Sequence, residues 1–345
     1  MTPMTGPIEE ARPVLASPWD GREPEPSEWP VLVTGAGGFV GGHVARALAA
    51  AGHRVRGVSR RPPVLEPDDP PIEWVIGDLR DADARRRTLA GIRGVIHTAG
   101  WVSLGLDSLG TSHAINVEVT RQLLAEAQEA GVDRFVYTST LYTLAAGTAD
   151  EPADEFSAWN LDRIDSPYTR SKREAERLVL EAGAAGFSTI ALCPGMVMGP
   201  RDIKPTSTTI VRTMARSPVA VLPHGGIPIV DASLLAAAHR RALVAGGSGQ
   251  RYAVLGPYLS YHELAAVVTS ITGWPRWIVT LPDCLEPVLS RVAGWIAPMA
   301  HRWIPDLSRP LIAGGFLQLR VRGDRANICF GLEHPPVVES ISKSL

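Results

Sequence analysis

"PVLVTGAGGFVGGHVARALAAAGHRVRGVSRR", residues 30–61, is the stretch that decides the fold. Val31 to Val33 have the apolar run of a short buried strand, and after the glycines Phe39, Val40, Val44 and Leu48 recur at helical spacing. Gly52 closes that helix, and "RVRGVS" opens the next strand. Gly35, Gly38 and Gly41 form a G-x-x-G-x-x-G series between strand and helix. Missing side chains there permit a tight turn and let backbone N–H groups approach a pyrophosphate at the helix N-terminus. The placement between a strand and a helix is what raises a glycine triplet above background.

Working outward, the alternation continues. "IEWVIGDL" (72–79) reads as a strand, "DADARRRTLAGI" (81–92) as a helix, "GVIHTAG" (94–100) as a strand and "NVEVTRQLLAEAQEAGV" (116–132) as a helix. "RFVYTST" (134–140) and "STIALCPG" (188–195) are two further strands. Such alternation predicts an α/β class, with a doubly wound parallel sheet covered by helices on both faces. Ligands of such sheets bind beyond the carboxyl ends of the strands, where Gly35, Asp78, Ala99, Thr140 and Pro194 fall. After Pro194 the regularity breaks up: residues 194–218 read as loop then helix, 227–246 as strand then helix, and the remainder as helical with Pro and Trp interspersed. The expected division is a poorly ordered lead-in (1–29), a dinucleotide-binding domain (30–194 and 226–258) and a smaller, discontinuous substrate lobe (195–225 and 259–345).

The net charge of -2 gives no electrostatic footprint for nucleic acid. Cys193, Cys284 and Cys329 lack C-x-x-C spacing, so neither a disulfide framework nor a metal site is expected, and a reducing, cytoplasmic setting fits. The N-terminus has no signal-peptide pattern, and no apolar run reaches the roughly 18 residues of a membrane span. "CLEPVLSRVAGWIAPMAHRWIP" (284–305) comes nearest, but Pro287, Pro298 and its charges interrupt it. A core helix or pocket lid is the expectation there, with room left for weak association with a membrane surface.

"DSPYTRSKREAERLVL" (165–180) places Tyr168 and Lys172 four residues apart, so phenol and ammonium share one helix face. Alone, that spacing is common on protein surfaces. His97, inside an apolar strand, reads as a packed core residue. Asn116 opens a helix, where an N-cap and support of a ligand loop are equally open. After the second strand the sequence is Val58, Ser59, Arg60, Arg61, without the acid that usually takes ribose hydroxyls, which suits a 2′-phosphate and hence NADP(H), with NAD(H) possible.

"TGAGGFVG", "GDL", "HTAG", "YTST", "YTRSK" and "CPGMVMGPRD", in this order, resemble the extended short-chain dehydrogenases/reductases, the NAD-dependent epimerase/dehydratase superfamily. The chain is similar to their 3β-hydroxysteroid dehydrogenase and dihydroflavonol reductase branch. The resemblance implies that Tyr168 is the general acid/base, that Lys172 binds the nicotinamide ribose and lowers the tyrosine pKa, and that Thr140, or else Ser139, orients the substrate carbonyl. It implies a nicotinamide cofactor along Gly35, Gly38, Phe39, Val40 and Gly41, with Ser59, Arg60 and Arg61, then Asp78 and Leu79. Beyond these it implies Thr98, Ala99, Gly100, Asn116 and Thr138, Lys172 itself, and Pro194, Gly195, Met196 and Val197. It further implies a homodimer paired through the helices of residues 116–130 and 167–182. The activity so implied is a ketoreductase or dehydrogenase acting on a small molecule. A nucleotide-sugar epimerase or dehydratase is the alternative, and a non-catalytic cofactor-binding regulator stands further off because Tyr168 and Lys172 are both kept. An apolar or partly apolar substrate is expected from Trp101, Leu104, Trp159, Met196, Met198, Trp274, Trp277, Trp295 and Trp303, against which Arg201, Lys204, Arg212 and Arg216 could serve a nucleotide sugar.

Overall fold

The structure is a computed structural model that describes residues 29–103, 110–203, 207–300 and 307–345. The expected lead-in, apart from Trp29, lies outside the described residues, as do Leu104, Lys204 and Trp303.

The first half alternates as β1 (Val31–Thr34), α1 (Phe39–Ala50), β2 (Val55–Ser59), β3 (Glu73–Ile76), α2 (Ala82–Leu89), β4 (Gly94–His97), α3 (Val119–Glu129) and β5 (Arg134–Thr138). It continues with α4 (Pro167–Ala184), β6 (Thr189–Pro194), β7 (Met196–Met198), α5 (Thr209–Arg216), β8 (Val219–Pro223), β9 (Gly226–Asp231), α6 (Ala232–Arg241) and β10 (Gln250–Val254). Last come β11 (Tyr258–Ser260), α7 (Tyr261–Thr272), β12 (Trp277–Leu281), α8 (Glu286–Ala300), α9 (Arg309–Phe316), α10 (Asp324–Phe330) and α11 (Val337–Ser342).

Seven strands form one sheet in the order β10-β6-β5-β4-β1-β2-β3, all pairs parallel. The chain starts at β1, builds outward to β3 on one side and then from β4 on the other. The crevice where strand order reverses therefore lies at the carboxyl end of β1, directly under the glycine turn. β1, β4, β5 and β6 are buried along their whole length, the condition of a sheet covered on both faces. Val31, Val33, Val44, Leu48 and Leu235 pack one face with α1 and α6. Leu32, Val95, Phe135, Leu123 and Val179 pack the other with α3 and α4. A third cluster, including Val211, Leu222, Leu264 and Val268, forms the core of the smaller region around α5 and α7.

Five strands depart from the expectation, among them β11 (Tyr258–Ser260), in a stretch read as helical. Met196–Met198, read as loop, is β7, which pairs with β9 beside β11 in a three-stranded sheet. Gln250–Val254 is the seventh strand of the main sheet. Val219–Pro223, between the segments read, and Trp277–Leu281, in a stretch read as helical, form a two-stranded parallel sheet. The core reading of residues 284–305 also fails: among α8 residues only Glu286, Ala293 and Ala297 are buried, while Val288, Val292, Trp295, Ile296 and Met299 face outward. Apolar residues at helical spacing show that a helix is two-faced; they do not show which face the protein covers.

Candidate active site

The glycine turn is built to hold backbone close to backbone. Gly35 has φ +68°, open to glycine at no steric cost, and a Cβ there would stand 2.9 Å from Ala99 Cα. A Cβ on Gly41 would overlap the Gly35 carbonyl oxygen and the Thr98 hydroxyl. α1 begins immediately after Gly38 with no side-chain cap and no acid in its first turn, so its N–H groups and positive dipole end remain available to an anion. Thr98 donates to the Thr34 carbonyl (2.6 Å) and the Ala99 N–H to the Thr34 hydroxyl (3.1 Å), which binds the carboxyl ends of β1 and β4 together beside the turn. These features fit a dinucleotide pyrophosphate.

Around this turn the other expected cofactor positions divide. Ser59 ends β2, its hydroxyl against Gly37, and Arg60 and Arg61 follow it in the open. Asp78 is held below the usual carboxylate range, first by its hydrogen bond from Arg80 (2.6 Å), with Arg60 contributing from further away. The Leu79 and Val197 side chains are buried in core clusters, so only their backbones could meet a ligand. Phe39 and Val40 are half-buried against the core. Pro194 ends β6, and Gly195 runs so close to the Pro228 carbonyl that no Cβ fits between them.

Asn116 caps nothing. It lies in a π-helical turn (His113–Glu118) leading into α3, a bulged geometry frequent at functional sites. Its Oδ1 accepts from Trp101 N–H (2.7 Å), while its Nδ2 donates to the Trp101 carbonyl and to the Ser171 hydroxyl (2.9 Å each). One buried amide thus ties the loop after β4 to α4, one residue before Lys172.

α4 starts sharply because Ser166 and Thr169 form a capping box and Pro167 takes the first helical position. That start sets Tyr168, 5% exposed, against the Thr140 hydroxyl, whose hydrogen bond pulls the phenol pKa down while burial pushes it up more strongly. The net shift is above the ordinary value of 10.0, so the chain by itself keeps the phenol protonated. Lys172 Nζ donates to the Thr138 carbonyl (2.7 Å) and sits 4.3 Å above the Tyr137 ring. Burial lowers its pKa to about 7. The expected depression of the tyrosine is therefore not supplied by this constellation alone, because a lysine drawn toward neutrality offers little field.

Ser139 does not share Thr140's position: its hydroxyl goes to the Glu176 carboxylate and to Thr143 (3.3 Å). The Thr138 hydroxyl is taken by His239 Nε2 (2.7 Å). His97 is the packed residue that its strand implied, bridging Thr34 (2.7 Å) and Thr120 (3.0 Å), with burial lowering its pKa to about 3.

Glu176 escaped the sequence reading. It continues the Tyr168 and Lys172 face by one more interval of four, and it is buried. Its carboxylate accepts from Ser139, Thr143 (2.6 Å), Cys193 Sγ (3.3 Å) and Arg251 Nη1 (3.1 Å), and its charge opposes the fall in the Lys172 pKa. With Arg251 and Trp159 it lines a 640 Å³ cavity on the other side of α4.

The residues expected to form a substrate pocket do not converge. Met198 is fully buried core; Trp274, Trp277 and Trp295 are 68, 79 and 78% exposed; Trp159 stacks under Arg173. Among the described residues, Trp101 follows β4 on the loop that Asn116 holds, and Met196 is half-buried against the core of the smaller region. On the opposing side, Arg201 is engaged by Asp69 and Glu66, and Arg212 by the backbone of Ser344 and Asp202. Among the described residues no cluster of His, Cys, Asp and Glu could hold a metal ion.

A family model described as the NAD dependent epimerase/dehydratase family matches residues 31–252. The chain belongs to this family. It is 34% identical over 273 residues to a 3 beta-hydroxysteroid dehydrogenase/Delta 5-->4-isomerase of Mycobacterium tuberculosis, covering 73% of this chain and 72% of that protein. It is 33% identical over 259 residues to a Synechocystis protein that carries the name dihydroflavonol 4-reductase, covering 73% and 75%. The crystal structure of gox2253 superposes with a TM-score of 0.75 at 28% identity, covering 92% of this chain and 97% of that one. This member of the family is thus an oxidoreductase with the family's Rossmann architecture, and an NAD(P) cofactor is typical of its relatives. No helix among the described residues is long and apolar enough to cross a membrane.

Proposed function

We propose that the protein is an NADP(H)-preferring reductase or dehydrogenase that interconverts a ketone and a secondary alcohol on an apolar or partly apolar small molecule. The observation that carries this reading is the convergence of Thr140, Tyr168 and Lys172 at the carboxyl end of β5, in the same parallel sheet whose β1 leads into the glycine turn.

When bound, nicotinamide supplies the hydride of reduction or accepts that of oxidation. The remaining work falls to the chain. In reduction, the Tyr168 phenol, kept protonated by burial, donates its proton to the carbonyl oxygen as the alcohol forms. Thr140, already hydrogen-bonded to that phenol, orients the same oxygen. Lys172, fixed by the Thr138 carbonyl, would hold the ribose with its remaining donors and, when protonated, would favour the phenolate as it develops. Glu176 steadies that lysine from the next turn.

Cofactor preference rests on half-buried Ser59 and on Arg60 and Arg61, exposed just past β2, where a carboxylate would repel a 2′-phosphate. Asp78, the nearby acid, is already paired with Arg80. Preference for an apolar substrate over a nucleotide sugar is supported by the engagement of Arg201 and Arg212 within the protein and by the names of the two relatives. The tryptophans lend it little. The proposed division of labour keeps residues 30–194 and 226–258 for the cofactor and 195–225 and 259–345 for the substrate, and the proposed assembly is a homodimer. Steady-state kinetics with NADPH and NADH against steroid-like, flavonoid-like and acyl ketones test the reading: turnover of a ketone with higher kcat/KM for NADPH is expected. Equal or better efficiency with NADH would overturn the cofactor assignment. Calorimetric binding of a UDP-sugar without turnover of any ketone would favour epimerase chemistry instead.

A further inference from the structure

α8 is an amphipathic helix mounted the wrong way round for a soluble protein. Ala293 and Ala297 turn inward, and Gly294 lies against Arg309 of α9. Val288, Val292, Trp295, Ile296 and Met299 therefore form an outward stripe at intervals of three and four residues, with Trp295 78% and Met299 71% exposed. The strand before it behaves alike. In the β8–β12 pair, Trp277 stands opposite Val219 and Val279 opposite Val221, and all four are exposed on one face. A three-residue 3-10 turn (Asp283–Leu285) joins β12 to α8, and His224, next after β8, reaches Asp283 at 3.5 Å. Trp274 (68% exposed) adds a third indole three residues before β12. Apolar surface on this scale marks an interaction site.

We propose that this face docks the protein on an anionic membrane surface. Indole is the side chain suited to the boundary between acyl chains and headgroups, apolar in body with one N–H for the wet side. Among the described residues, the charges around the face are mostly cationic. Arg216 before β8, Arg276 in front of β12, Arg291 on α8 and Arg309 beside it are cationic, and Arg276 makes its hydrogen bonds to Ser217, Ala215, Thr269 and Thr272 and not to an acid. Glu286 is buried against Arg163, which leaves Asp283 as the exposed acid of α8 and its turn. A two-fold pairing of copies through this face would bring the arginine rim against its own image, whereas phosphate headgroups neutralise it. Backbone geometry keeps the stripe outward, because the small-residue side of α8 is the side that packs on α9.

The face is tied to the catalytic machinery through the protein. Glu286 at the start of α8 pairs with Arg163, three residues before the Ser166 cap of α4. Docking itself does not depend on the substrate reading.

Flotation of the full chain with phosphatidylcholine vesicles, with and without phosphatidylglycerol, tests the proposal. The protein should rise with the anionic vesicles, less with the neutral ones, and less as salt is added. Trp277→Ser with Trp295→Ser should lower partitioning by about tenfold or more, because both indoles are exposed and their loss removes apolar area without opening a core. The double variant should keep wild-type kcat on a soluble ketone, which separates docking from catalysis. Wild type that stays unbound on both vesicle types would overturn the proposal. So would a dimer in solution that the same double variant dissolves, since that assigns the face to a second copy.

Discussion

In the proposed mechanism Tyr168 and Lys172 carry the chemistry, and burial gives each a cost that activity alone does not reveal. Tyr168→Phe keeps the ring in its buried slot and removes the transferable proton. Turnover should fall by about 10²-fold or more while cofactor affinity, measured by fluorescence titration, stays near wild type; a variant retaining most of its turnover would remove Tyr168 from the mechanism. Lys172 is a buried cation whose pKa burial has brought from 10.5 to about 7. Below pH 7 the folded and unfolded states both hold the proton, and the folded state bears the full cost of desolvating it. Between about 7 and 10.5 the folded state releases the proton while the unfolded state keeps it, so wild-type stability rises with pH across that window. Lys172→Met is free of this cost. Its melting temperature relative to wild type should be highest at pH 6 and should decline toward pH 9, with activity lost throughout; a difference independent of pH would contradict the burial of the charged amine. Tyr168, Lys172 and Thr140 were legible in the sequence because each stands inside a motif. The direction of the pKa shifts was not, since it depends on how much protein closes over the groups. Glu176 had the right spacing and went unread because a glutamate on a helix is ordinarily solvated.

At the scale of elements, the strand–turn–helix of residues 31–50 was the most legible part of the chain, and its glycines make a sharp prediction. Gly41→Ala adds a methyl that meets the Gly35 carbonyl, a backbone atom unable to move aside. A cost of about 1–3 kcal/mol in urea denaturation is expected, together with weakened cofactor binding. Gly42→Ala is the matched control. Its methyl meets chiefly the far end of the flexible Arg46 side chain, so helix propensity should offset most of the contact. Equal losses from both substitutions would mean that the turn is not held by the approach of Gly41 to Gly35. The strands that escaped notice share a different cause. β10 reads Gln-Arg-Tyr-Ala-Val, and its Arg251 looks unlike a buried strand residue until Glu176 and the Glu155 carbonyl are seen to receive it. β8 and β12 turn Val219, Val221, Trp277 and Val279 to the outside. The alternation was present, but flanking prolines and an outward apolar face do not look like a strand over a core.

For the whole molecule, the doubly wound parallel class of the main sheet followed from the sequence, because alternation and right-handed crossovers leave few alternatives, while its seventh strand β10 did not. Assembly did not follow, and it turns on the chemistry of two helix faces. The outer sides of α3 and α4 carry no large exposed apolar residue among those described. They carry Arg121, Arg173 and Arg177 beside Glu118, Glu174 and Glu181, with Arg121 already 3.5 Å from Glu118 and 3.6 Å from Glu174. Because both signs are present in balance, a two-fold axis can exchange these pairs between copies, unlike the mostly cationic rim around α8, where Asp283 is the exposed acid. A homodimer through α3 and α4 would therefore be held by exposed ionic contacts, which fade as the screening length falls below about 10 Å near 0.1 M salt. Light scattering at micromolar concentration should show dimer at low ionic strength and a shift toward monomer as salt rises. Arg121→Glu with Arg177→Glu should give monomer at low salt, since the doubled acids meet their own images across the axis. A monomer at every ionic strength would refute the pairing, and a dimer indifferent both to salt and to these reversals would place the contact elsewhere on the molecule.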